Sequence, residues 1–162
     1  MKALVPGLKN FNEPLKAKGK VSFYNNNIKL NGFKAEYSKN TIVKLNAEIN
    51  GINNAEDTYI FTNIQQISSK TQDIEKLISD ITLKPFILPN EVKNLGQFNF
   101  SGNIVGFFSD IVAFGTLKTD AGKINTDLKI SYIIKNNDWK FNGKIATEDV
   151  NLSRILNKST DF

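Results

Sequence analysis

Two pairs of adjacent carboxylates, Glu56-Asp57 and Glu148-Asp149, are the first candidates for acid/base chemistry in this chain. Catalysis by a carboxylate pair needs both groups aimed at one point. Each pair reads as part of a loop, and neighbours on extended backbone face opposite ways. Neither pair therefore forms a focused dyad. The chain has no cysteine and no histidine. That removes thiolate nucleophiles, histidine-based triads and zinc sites built on these residues. No G-x-S-x-G elbow and no Walker or G-x-G-x-x-G loop occurs, and Gly102-x-x-x-Gly106 reads as strand and turn glycine. The reading is non-enzymatic, with no catalytic residue, metal ligand or cofactor expected.

Binding chemistry has more candidates. The row Lys16, Lys18 and Lys20 could meet phosphate, but lysines on a strand face also discourage edge pairing. Phe98, Phe100, Phe107, Phe108 and Phe114 could stack bases, yet they lack nearby cations. The net charge of +5 is spread along 162 residues and makes no patch, so no nucleic-acid partner is expected. Three N-x-S/T sequons, at Asn99, Asn151 and Asn157, are what an Asn-rich chain shows by chance. The apolar stretch Ala3-Leu4-Val5 is cut off by Pro6-Gly7, too short for a signal peptide. The longest apolar runs, near 104–108 and 111–114, fall short of the roughly 20 residues of a membrane helix. The chain reads as a piece of a longer polypeptide, with any anchor outside it.

What remains is apolar residues at every second position. Leu15, Ala17, Gly19, Val21 and Phe23 alternate with Lys16, Lys18, Lys20 and Ser22, the pattern of a half-buried strand. Asn25-Asn26-Asn27 reads as a turn, because Asn tolerates left-handed backbone. Ile28 and Leu30 start a second strand, and the parity switch to Phe33, Ala35 and Tyr37 at Asn31-Gly32 predicts a bulge. Val43, Leu45, Ala47 and Ile49 make a third strand; Tyr59, Phe61 and Ile67 a fourth. The period then changes: Ile74, Leu77, Ile78 and Ile81 form one stripe of a helix near 72–81, with Thr71 or Asp73 as its cap.

The programme then repeats. Val21, Leu30, Leu45 and Leu77 have counterparts in Ile104, Ala113, Thr126 and Ile155, at an offset drifting from about 83 to about 78 residues. The expected organisation is a lead-in over 1–14, a first unit over 15–84, a Pro-containing linker over 85–95 and a second unit over 96–162. Each unit has about four strands and one short helix, the second helix near 151–157 and capped by Asn151. The fold class is mainly β, a curved antiparallel sheet. Its candidate binding face comprises Val21, Phe23, Ile28, Leu30, Val43, Leu45, Phe61, Phe98, Phe100, Ile104, Ile111, Leu128, Ile130, Trp139, Phe141 and Ile145. On alternation alone a sealed core is the favoured reading of this face, with an open groove as the alternative.

The stretch from Phe98 to Leu128, with Gly102, Gly106, Gly115 and Gly122 among alternating apolar residues, resembles the repeats of the AsmA-like superfamily. Within it the likeness is to the translocation and assembly module (TamB-like) group. Residues 15–51 look like a looser copy, and Thr147-Glu-Asp-Val-Asn-Leu-Ser-Arg-Ile-Leu156 resembles the family's strand-to-helix exit. The resemblance implies a curved β-taco with a hydrophobic groove for phospholipid acyl chains. It implies a periplasmic setting, anchorage in the inner membrane outside this segment, and a role in lipid transport and outer-membrane biogenesis. Helices after Thr71 and Asn151 depart from an uninterrupted groove and would plug it locally. The alternative is a structural or protein-binding β module that assists outer-membrane protein assembly through strand addition.

Overall fold

The computed structural model describes residues 14–54, 57–82, 85–133 and 138–156. The lead-in up to residue 13, Glu56, the expected turn at 136–137 and the chain beyond 156 lie outside these. The described residues form eight strands: β1 (Leu15–Tyr24), β2 (Asn27–Tyr37), β3 (Thr41–Asn50), β4 (Tyr59–Lys70), β5 (Gln97–Phe107), β6 (Asp110–Thr119), β7 (Gly122–Ile133) and β8 (Asp138–Glu148). Helix α1 (Thr71–Thr82) follows β4, α2 (Asn90–Lys93) precedes β5, and α3 (Leu152–Leu156) follows β8. All eight strands lie in chain order in one curved, unclosed antiparallel sheet. β4 pairs directly with β5, so the two sets of four strands merge without a gap.

Turn chemistry fixes the hairpins. Asn25 and Asn26 take positive φ (46° and 62°) between β1 and β2, and Ser38 does so between β2 and β3. The parity switch expected at Asn31-Gly32 is a bulge. Leu30 faces Ala47 and Phe33 faces Leu45, so β2 holds one residue more than β3 there, and Gly32 supplies a φ of 56°. β4 carries a second bulge: Lys44 faces Gln66 while Leu45 faces Ile64, leaving Gln65 as the extra residue.

Three helices gather at one end of the sheet. α1 crosses the ends of β2 to β4: the Tyr37 hydroxyl donates to Asp80 Oδ2 (2.7 Å) and Asn40 Nδ2 to Asp73 Oδ2 (2.9 Å). Thr71, the first residue of α1, donates its hydroxyl to Lys93 O of α2. Asn151 caps α3 by accepting from the Arg154 N–H (3.0 Å), and its own N–H donates to Ala121 O. Asn94 Nδ2 donates to Ile155 O, joining α2 to α3. α2 lies inside the stretch read as a linker; a single turn leaves no periodicity to detect. The side chains of Ile78 and Ile81 lie outside the described residues.

Burial follows the helices. Tyr37, Thr41, Ser69, Thr71 and Ala121 are buried at this end, and Ala47 and Ile64 further in. Tyr37→Phe removes the hydrogen bond from the hydroxyl of a 2% exposed tyrosine to a carboxylate, worth about 2 kcal/mol. The expected result is faster amide exchange in α1, with protection of β5 to β7 unchanged.

Candidate functional site

Strand register assigns every described side chain to one of two faces. Starting from β1, Val21 faces Leu30 and Phe23 faces Ile28; Ile28 then faces Ile49, and Ala35 faces Val43. Val43 faces Ile67 and Leu45 faces Ile64. Ile67 faces Phe100, Ile104 faces Ala113, Gly106 faces Ile111, and Ile111 faces Ile130. Leu128 faces Gly143, Thr126 faces Ile145 and Ile130 faces Phe141. These rows make one apolar face that crosses all eight strands without a break. It is the inner side of the curve, since its residues in β3 and β5 are more buried than the residues alternating with them.

The outer face is polar over most of its area. Lys16, Lys18 and Lys20 stand opposite Glu36, Lys34 and Asn31 on it. Lys29 pairs with Glu48, Lys123 with Glu148 and Lys129 with Asp110. Glu148 is thereby absorbed into sheet electrostatics, while Glu36 beside the lysine row pairs with Lys34. Asp149 follows the strand at a positive φ of 54°, and Asp57 accepts from Asn54 Nδ2 in its loop.

Phe61 departs from the expected face. It stands opposite Glu48 and Val105, on the outer side, where it is 48% exposed. Counting by twos back from Ile67 puts Phe61 on the inner face, but the extra residue at Gln65 reverses the parity. Ile60, Thr62 and Ile64 take the inner positions instead. Phe33, Ile49, Leu117 and Ile124 also belong to the inner face, and their place in the alternation was the signal for them. Trp139 pairs with Tyr132 in the register, and its side chain lies outside the described residues.

Among the described residues the inner face is covered at the helix end and open elsewhere. β1 and β8 do not pair with each other. Inner-face residues on these two strands are widely exposed: Val21 and Phe23 at 60%, Phe141 at 61% and Ile145 at 62%. The result is a trough with apolar lips, closed by α1 to α3 at one end. A strand of 10 residues spans ~33 Å, more than the half-thickness of a bilayer's ~30 Å hydrocarbon layer. The trough is long enough for an extended acyl chain. Among the described residues no three His, Cys, Asp or Glu side chains gather as metal ligands, and no helix is long and apolar enough to cross a membrane.

Among the described residues four carboxylates carry lowered pKa values. The Lys34 ammonium holds Glu36 below the usual carboxylate range, and Lys129 with Ser131 does so for Asp110. Lys123 acts likewise on Glu148; Glu75 is held down first by the Leu88 N–H and then by Lys93. A lowered folded-state pKa adds stability above the unfolded value, about 4, and that stability is lost as pH falls through the folded value. The thermal midpoint is expected to hold between pH 8 and 5 and to fall from pH 5 to 3. High salt at pH 7 should reproduce part of the drop, because these pairs are exposed.

Fold and site together define a single-sheet β trough with an open apolar inner face. No protein-family model matches the chain, and no curated protein or solved structure matches it.

Proposed function

We propose that the chain is a non-enzymatic, acyl-chain-binding segment of a lipid-transport protein. One observation carries the reading: an apolar face continuous over eight strands, lipped by exposed Val21, Phe23, Phe141 and Ile145, and covered, among the described residues, by helices at one end. Monomeric soluble proteins rarely leave so much contiguous apolar surface without a ligand or partner. An acyl chain lying in the trough gains roughly 0.8 kcal/mol per buried methylene, while its headgroup stays in water along the gap between β1 and β8. Binding of this kind selects for length and apolarity more than for headgroup identity.

The resemblance to AsmA-like, TamB-like repeats supports the same reading. It extends it to a periplasm-spanning protein anchored in the inner membrane by a segment outside this one, serving lipid transport and outer-membrane biogenesis. The helices at one end argue against free passage along the whole segment and for entry from the open end or the side. The test is organic extraction and mass spectrometry of the purified protein, with titration of a fluorescent fatty-acyl probe. Co-purified phospholipid or saturable probe uptake supports the reading; absence of both refutes it.

A second reading, strand addition to a nascent outer-membrane protein, is favoured by the unpaired edges of β1 and β8. Pull-down of unfolded barrel strands by a protein that takes up no acyl probe would select it.

A further inference from the structure

The end of the trough opposite the helices carries a surface that the trough itself does not use. It is built from three consecutive turns. Tyr24 closes β1 and is 75% exposed; Ile52 sits in the β3–β4 loop; Phe107 and Phe108 lead into the β5–β6 turn, with Phe108 60% exposed. Turn tips ordinarily carry polar residues, so large apolar or aromatic side chains on three neighbouring tips point to something they meet.

The tips are laced into one rim. The Ile52 N–H donates to Asn26 O (3.1 Å), tying the second turn to the first. The Phe108 N–H donates to Thr58 O (2.9 Å), tying the third to the second. The Tyr59 and Phe107 rings meet edge to face at 5.3 Å. The apolar tips are interleaved with Asn25, Asn53, Asn54 and Ser109. Beside the rim Lys29 pairs with Glu48 and Lys129 with Asp110, and the β3–β4 loop adds the carboxylate of Asp57, which accepts from Asn54 Nδ2.

We propose that this rim docks on the interfacial layer of a bilayer, with Tyr24, Ile52 and Phe108 entering the headgroup zone. The amphipathic Tyr24 ring, with apolar Ile52 and Phe108 among amide side chains, suits a layer that is apolar below and wet above. A dry protein interface needs about 800 Å² of continuous complementary surface per partner, which tips separated by asparagines do not offer. With both lysines paired and Asp57 beside them, these described groups show no basic excess to select anionic lipid. The favoured partner is therefore a zwitterionic bilayer, bound with little dependence on salt. The inference deepens the acyl-trough reading and rests on it for its purpose, since docking here sets the open end of the trough against the lipid.

The test is flotation of the full chain with phosphatidylcholine vesicles, comparing the parent with Tyr24→Ser/Phe108→Ser. Both side chains are exposed, so the double variant should keep the parent's thermal midpoint; Ile52→Ser is the independent check. The expected result is parent binding that persists in high salt and weakens about tenfold or more in the double variant. Acyl-probe uptake in solution should stay at the parent level. Binding confined to anionic vesicles and abolished by salt overturns the proposal. So does self-association of the parent, without vesicle binding, that the double variant relieves. No vesicle binding with probe uptake intact overturns docking and leaves the trough standing; vesicle binding without probe uptake does the reverse.

Discussion

Leu128→Glu should abolish acyl-probe uptake while leaving the sheet folded. Leu128 stands mid-trough between Ala113 on β6 and Gly143 on β8. Its small neighbours leave it projecting from the inner face, half-buried. In the lipid-free protein water reaches the trough, so a carboxylate there stays hydrated and the fold loses only the partial burial of a leucine, about 1 kcal/mol. Once an acyl chain covers the site, the charge is stripped of water at a cost of several kcal/mol. At 1.4 kcal/mol per tenfold, uptake should weaken about a hundredfold or more. The circular dichroism spectrum and the thermal midpoint should stay near the parent's. Leu128→Ala should weaken uptake only a few-fold, which separates the charge from the lost contact. If the face is a sealed core, Leu128→Glu unfolds the protein instead.

The second large effect is expected at Gly102, which faces Gly115 across β5 and β6. Its φ of 158° would turn a Cβ into the plane of the sheet, 2.2 Å from Phe114 O and 2.7 Å from Gly115 Cα. A Cβ on Gly115 meets Ser101 O at 2.3 Å, and the Phe100 ring comes within 3.0 Å of the same point. Apart from the Phe100 ring these are backbone atoms in the middle of an eight-stranded sheet, and they cannot give way separately. Gly102→Ala should therefore combine strain with overpacking and cost about 3 kcal/mol. In a domain of this size that lowers the thermal midpoint by roughly 6–12 °C. Gly32→Ala is the contrast: φ is 56° but no atom lies within 4 Å of the added Cβ, so only the left-handed backbone term of about 1 kcal/mol remains. Equal effects at the two sites would contradict this account of how the strands approach each other. Close glycine contacts and bulges are also what let a sheet coil, so Gly102→Ala should weaken acyl uptake even where the protein stays folded.

Local chemistry made much of this fold readable. Asn25-Asn26, the parity switch at Gly32, the three-and-four spacing from Ile74 and the Asn151 cap each act over a few residues, and each appears where its residues stand. The inner face was legible for the same reason: its members alternate. Phe61 was not, because the bulge at Gln65 uses no glycine and leaves no trace in composition. Nor was the gathering of α1, α2 and α3 at one end. That depends on contacts such as Tyr37 with Asp80 and Asn94 with Ile155, between residues 43 and 61 positions apart. The rim of Tyr24, Ile52 and Phe108 was hidden likewise. Phe108 looked like one more aromatic in an apolar run, and only the strand order brings the three turns side by side.

Photo-crosslinking with a diazirine fatty acid, followed by peptide mass spectrometry, tests the trough most directly. Adducts should concentrate on inner-face residues of the open half, such as Phe23, Ile28, Ile111 and Ile130, and should be competed away by unlabelled fatty acid. A protein that takes no adduct, or takes it on Phe61 and Phe114 of the outer face with the inner face unlabelled, would contradict the account.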